Sequence, residues 1–345
     1  MRRLRFTAIL LVLWVAFGFG VNRFLESRKS ALITHPNASV PTAVTPAFTL
    51  PGTVYLSQAG HLYRFSAGRF TDMGLTPNAG SWVQPALATP GRLLVVARAA
   101  EFSDVYLVDA RSGAIIQKLT SNATRKPAHV ELNAWSFWPH LAADGSTVIF
   151  GYDGPKTGLT YEVHLAVWSG PLTGKLESKQ WTDPTQYTGG DVNPVPLAGG
   201  GVIYARYALN AQSQIVSRVA TVAKPGAPPV YLTAEAADCG EPAVSPDGTQ
   251  LAVICTSDTQ TARMELIPLV NGVPGVPRVL VDNCLCASPA WSPDGVSLLY
   301  LAPADATGHF QLWWLNKATA LTPALPKQVT TNLDFDATSA PVWAP

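Results

Sequence analysis

The chain lacks the short motifs that announce most enzymes. No GxSxG, HExxH, CxxC, Walker or GxGxxG pattern occurs in its 345 residues, so the signatures of serine hydrolases, zinc proteases, dithiol oxidoreductases and nucleotide-binding folds are missing. Charge is scarce too: 14% of residues are charged and the formal net charge is +1. With no basic stripe to neutralise phosphates, binding to DNA or RNA has no electrostatic basis. The 6 histidines are scattered, with no two at ligand spacing.

What is present is a repeat. In SPAWSPDG, Ser288 to Gly295, the run Ser292-Pro293-Asp294-Gly295 supplies a tight turn. Proline is preset for the second position, aspartate can bond its own backbone, and glycine is free to take positive φ. Apolar stretches on either side suit a buried, pleated surface, so the unit reads as a hairpin. Related copies begin at Pro85, Pro139, Pro194 and Pro242, and a shortened copy, PVWAP, begins at Pro341. Successive leading prolines lie 47 to 55 residues apart, the period of a four-stranded propeller blade. After each turn come a strand, a second strand and a third that tends to finish in a Leu-Thr or similar pair: Leu75-Thr76, Leu119-Thr120, Trp181-Thr182, Leu232-Thr233, Val329-Thr330. The recurrent Asp144, Asp247 and Asp294, with the glycines that follow them, are explained by the turn itself rather than by a metal.

This pattern predicts an all-β, six-bladed β-propeller over residues 51–345. Its closure is specified as well. The last copy stops at Pro345, aligned with Pro293, whereas Pro51-Gly52 aligns with Asp294-Gly295. The C-terminal strand is therefore expected to be the innermost strand of a blade whose other three strands come from the N-terminal segment, which leaves the ring without an open edge.

PAWSPDG and PAVSPDG resemble the repeat signature of the TolB propeller domain and of related WD-type propellers, including those attached to prolyl peptidases. The resemblance covers residues 51–345 and implies a fold, because the signature residues serve turns and packing. Neither the α/β domain that precedes the propeller in TolB nor the hydrolase domain of the peptidases is expected from these residues, where the apolar segment and tether stand before the repeats.

Residues 1–25 read as a single transmembrane or signal helix: Arg2, Arg3 and Arg5 precede an apolar run from Phe6 to Val21, closed by Asn22 and Arg23. An uncleaved anchor is preferred over a cleaved signal, because the small-x-small site Ala16-Phe17-Gly18 lies inside the apolar run. Residues 26–50, rich in Pro, Thr and Ala, form a tether. The expected location is extracytoplasmic, periplasmic or cell-surface, with residues 6–25 holding the protein to the inner or plasma membrane as a monomer.

In a propeller, only strand ends and loops bring functional groups to the channel mouth. Residues just before the leading prolines are thus the candidates for a ligand-binding rim: Gln84, Trp138, Asp191, Asn193, Glu241 and Ser288, with His140 just after Pro139. Trp82, Ser136 and Thr338 occupy related positions. The mixture of aromatic and acidic groups suits a protein, peptide or glycan ligand, and the blander reading is that these are simply polar strand ends. No catalytic residue, metal ligand or cofactor is assigned. The alternative is a propeller enzyme, a lactonase-like hydrolase or sugar dehydrogenase, with a metal such as calcium or a quinone over the channel. An even count of 4 cysteines in an exported chain favours disulfides. A hairpin turning around Asp247 sets Cys239 opposite Cys255. A direct Cys284–Cys286 bond, spanning one residue, is expected to be strained, so pairing of either with Cys239 or Cys255 across blades stays open, as does a four-cysteine zinc site.

Overall fold

The computed structural model describes residues 50–74, 80–126, 128–156, 164–184, 188–256, 261–304 and 308–345. The expected membrane segment and the tether to residue 49 lie outside them, as does the Leu75-Thr76 pair. Among the described residues no helix is long and apolar enough to cross a membrane.

The described chain forms six antiparallel sheets, the blades of a propeller. Blade 1 orders Val342–Ala344, Thr53–Gln58, His61–Ser66 and Arg69–Asp72, so the C-terminal strand leads a blade otherwise built from the N-terminal segment. The register is Thr53 opposite Ala344, Val54 opposite Trp343 and Tyr55 opposite Val342. Gly52, with φ of 77°, lies so close to this strand that a Cβ would fall 2.2 Å from the Ala344 carbonyl oxygen, and the Trp343 indole N–H donates to the Pro51 carbonyl at 2.7 Å. The closure expected from the sequence is the one observed.

The other blades are led by Ser81–Leu87, Ser136–Leu141, Asp191–Pro196, Cys239–Val244 and Ala287–Trp291, blades 2 to 6. Each leading strand touches the leading strands of both neighbouring blades, closing a ring around the axis. Apolar clusters fill the spaces between blades: Val83, Leu94 and Val105 of blade 2 pack with Val148 and Phe150 of blade 3, and Leu299 and Leu312 of blade 6 with Val54 and Trp343 of blade 1. Burial of alternating faces from adjacent blades is the main apolar contribution to the fold.

Two repeated devices explain the motif. In the turn after Trp291, the Asp294 carboxylate accepts the Ser292 hydroxyl and the Val296 N–H, while the Ser292 hydroxyl oxygen accepts the Ser297 N–H. Ser245 and Asp247 repeat this in blade 5. These hydrogen bonds hold the Asp247 and Asp294 carboxyls below the usual range. At the outer edge the Leu-Thr pair works as a clasp. Its first residue donates N–H to the carbonyl of a residue on the third strand, and the threonine hydroxyl accepts the N–H of that same residue. The clasp occurs at Val105 with Thr120, Val167 with Thr182, Val219 with Thr233 and Leu312 with Thr330.

Blade 5 departs from the pattern at its outer edge. The nine-residue strand Ala262–Val270 reverses at Asn271 and Gly272, both at positive φ, a turn chemistry suited to tight hairpins. Its edge is then shared by Val273–Pro274 and Arg278–Cys284. Cys239 and Cys255 face each other in register and are bonded. Cys284 bonds Cys286, so the cross-blade pairing left open by the sequence is not realised, and no free cysteine remains for a zinc site.

Candidate functional site

The site begins with a backbone feature. In blades 2 to 6 the residue before the leading proline has positive φ: Gln84 at 53°, Trp138 at 48°, Asn193 at 50°, Glu241 at 49° and Ser288 at 54°. At the same place each leading strand slips by one residue against its partner. Proline, lacking an N–H, is accommodated at such a bulge. A non-glycine residue held left-handed costs about 1 kcal/mol or more, and glycine would avoid that cost. All five positions carry a side chain.

Three of those side chains sew the blades together. The Gln84 N–H donates to the Ser339 hydroxyl and its amide nitrogen to the Thr338 carbonyl, at 2.6 and 3.3 Å, joining blades 1 and 2. The Gln84 amide oxygen accepts the Trp138 N–H at 2.8 Å, joining blades 2 and 3. Glu241 accepts the Ser288 N–H at 2.5 Å, joining blades 5 and 6, and the Ser288 hydroxyl donates to the Ala337 carbonyl at 2.7 Å, joining blades 6 and 1. Blade 1 has no bulge of this kind. The segment Ala337-Thr338-Ser339 takes its place, steadied by Asp336, which pairs with Arg98 at 3.1 Å.

The belt changes character at blades 3 to 5. Indole has no acceptor, and Trp138 instead packs on Leu165, Val192 and Ala205, reaching from blade 3 onto blade 4. At the next junction, the Asn193 side chain makes no hydrogen bond among the described residues, and the Glu241 N–H has no side-chain acceptor from blade 4 there. Glu241 is only partly exposed, and its surroundings push its carboxyl up to about 7, desolvation outweighing the Ser288 N–H. Tyr207 stands close enough to Glu241 and Asp238 for their charges to add to the upward push that burial gives its phenol.

Gln84, Trp138, Asn193, Glu241 and Ser288 therefore share one belt, whereas Asp191 and His140 do not contribute to it. Asp191 is fully buried and bound by Arg206, whose Nε and Nη2 each donate to one carboxylate oxygen at 2.7 Å. Direct opposition of the two residues in register sets this pair. The His140 imidazole makes no hydrogen bond among the described residues, and desolvation pulls it down to about 4, leaving it neutral at pH 7. The cluster of possible metal ligands found among those residues is Cys239, Cys255 and Glu265, and its two sulfurs are bonded to each other. Sequence reasoning missed Arg206, whose register opposite Asp191 was countable, and missed the role of Ala337–Ser339, which no repeat announces.

No protein-family model and no curated protein sequence matches the chain. Solved structures do. TolB from Acinetobacter baumannii aligns with a TM-score of 0.60 at 13% identity, over 86% of this chain and 68% of that one. A TolB described as putative, from Agrobacterium tumefaciens, gives 0.59 at 14%, over 84% and 91%. Hydrazine synthase from Kuenenia stuttgartiensis gives 0.59 at 11%, over 86% and 47%. At these identities the likeness is one of fold: the chain is a TolB-like six-bladed β-propeller. The Cys239–Cys255 disulfide fits an extracytoplasmic, oxidising compartment.

Proposed function

We propose that the protein is a membrane-tethered, extracytoplasmic binding or scaffold propeller that recognises a protein, peptide or glycan at the channel mouth. The observation that carries this reading is the belt. Five side chains occupy left-handed positions that glycine would fill at lower cost, and at Asn193 and Glu241 polar groups are left unused. Backbone strain concentrated at one place in a fold supports a binding role there. The tether rests on the apolar run from Phe6 to Val21 behind its arginines.

The enzyme alternative has less support. Asp191 is committed to Arg206, and among the described residues the one group of possible metal ligands, Cys239, Cys255 and Glu265, includes no belt residue and has its two sulfurs bonded to each other. The test pairs fractionation with mutation. The full chain is expected in the membrane fraction and is expected to lose it when residues 1–25 are removed. A ligand recovered by crosslinking to the full chain is expected to fail to bind the N193A/E241A double variant, with the circular dichroism spectrum retained. Equal binding by that variant would remove the channel site.

A further inference from the structure

The two faces of the ring differ in chemistry. The turns that join the first strand of a blade to the second, and the third to the fourth, share one face. There the Ala110 N–H donates to the Gly91 carbonyl in blade 2, Leu269 to Thr249 in blade 5 and Ala318 to Val296 in blade 6. This face carries the three most exposed large hydrophobic residues of the described chain, Val276 at 85%, Leu325 at 90% and Leu321 at 95%. They lie on the outer turns of blades 5 and 6, which the Arg278 guanidinium links by donating to the Ala318 carbonyl at 2.9 Å. The outer turns of blades 2, 3, 4 and 6 each add an exposed cation: Arg111, Lys175, Lys224 and Lys317. Glu177 is the one carboxylate in those turns. Asp144, Asp247 and Asp294 sit in the inner turns, where hydroxyls and backbone N–H groups occupy them. The opposite face is acidic, with Glu101, Glu235, Asp282 and Asp334 exposed there beside Arg125 and Lys126.

We propose that the apolar and basic face rests on an anionic lipid bilayer, with Val276, Leu321 and Leu325 among the headgroups and the four cations against lipid phosphates. Aliphatic side chains almost wholly in water gain by leaving it, and the cations around them select an anionic surface. A second copy meeting the same face would instead set these cations against each other. The described chain also begins here: the Pro51 carbonyl is held by the Trp343 indole, and Leu50 packs into the cluster shared by blades 6 and 1. The tether therefore leaves the ring from the side that meets the lipid. Residues 26–50 reach at most about 85 Å when fully extended, enough for either face to approach, so the surface chemistry sets the orientation. The inference rests on the tethered reading above only for bringing a bilayer within reach. Docking in this way turns the opposite face, crossed by Ala337–Ser339, away from the bilayer.

The test uses the full chain reconstituted in vesicles of phosphatidylcholine and phosphatidylglycerol in equal parts, with lipids brominated in their acyl chains as quenchers. All 4 native cysteines are paired, so a fluorescent dye goes to one introduced thiol. L325C and V276C place it on the docking face, and I215C places it at an exposed hairpin on the opposite face. Quenching is expected at 325 and 276 and not at 215. K224Q/K317Q is expected to lower the ratio of docked to undocked protein about 25-fold, two surface lysines counting roughly fivefold each. Vesicles of phosphatidylcholine alone are expected to weaken the quenching as well. Should L325C fold poorly, V276C gives the same readout. Equal quenching at 215, or none at 325 and 276, would overturn the proposal, and the tethered reading survives either result if the chain still floats with the vesicles. Quenching confined to 325 and 276 in a chain that salt washes off the vesicles would support the face and count against the anchor. A dye response at 325 that follows protein concentration rather than lipid would mean that a second copy covers the face, and would overturn the proposal.

Discussion

The Glu241 carboxylate accepts the Ser288 N–H at 2.5 Å across the boundary between blades 5 and 6. A strand-bulge residue of one blade thus holds the equivalent residue of the next. The partner is a backbone N–H, so the bond persists when the carboxyl is protonated, through its carbonyl oxygen. With its carboxyl pushed up to about 7 from 4.5 by desolvation, Glu241 makes the ring sensitive to pH near neutrality.

The sign follows from linkage. Between roughly pH 4.5 and 7 the folded protein holds a proton that the unfolded chain has lost, so stability present at low pH falls as pH rises through that window. E241Q keeps an acceptor for Ser288 and does not titrate. Its stability relative to the native protein is expected to rise by on the order of 1–3 kcal/mol between pH 4.5 and 8. Urea melts of both proteins at pH 4.5, 6 and 8 measure it; a constant difference would mean that Glu241 stays ionised.

The threonine clasps predict a second effect. T182V keeps the shape of the side chain but removes the acceptor for the N–H of Val167, a fully buried residue. A buried donor left unsatisfied costs about 1–3 kcal/mol, and a similar loss is expected from T233V, which strips the Val219 N–H. Denaturant midpoints unchanged in both variants would show that water replaces the hydroxyl.

The two disulfides are expected to differ in what they contribute. Cys239–Cys255 closes a separation of 16 residues and Cys284–Cys286 one of 2, and chain-entropy reasoning gives about 3 kcal/mol for a loop near the first size and markedly less for the second. C239S/C255S should lower the melting temperature well beyond C284S/C286S. Peptide mapping of the unreduced protein checks the pairing, and four free thiols would contradict it.

Much of this architecture was legible in the chain because it rests on backbone demands that only certain residues meet. Asp-Gly turns, leading prolines and Leu-Thr finishes are read one repeat at a time, and the Cys239–Cys255 pair follows from counting away from Asp247. The belt was half legible. Its positions follow from the prolines, but what each side chain does depends on the neighbouring blade, 54 residues away in sequence for Gln84 and Trp138 and 255 for Gln84 and Ser339. Gln84 finds Trp138 and Ser339, whereas Asp191 finds Arg206 in its own blade. Nothing local to Asp191 and Asn193, two residues apart on one strand, says that one is spent and the other free.

The closure of the ring gives the most demanding prediction. Val342–Ala344 contributes only three residues to blade 1, yet it brings Trp343, buried at 5% exposure, into the cluster shared with blade 6, and its indole ties down Pro51. Deleting residues 340–345 removes the pairing with Thr53–Gln58 and exposes that strand as an edge facing the channel. W343A isolates the packing part, and a loss of about 3–5 kcal/mol is expected for a buried tryptophan truncated to alanine. The deletion is expected to cost more than W343A, because it removes backbone pairing as well, and to abolish cooperative melting. A truncated protein that melts like the native one would mean that the N-terminal segment completes blade 1 without the C-terminal strand, and that the ring is held by the belt alone.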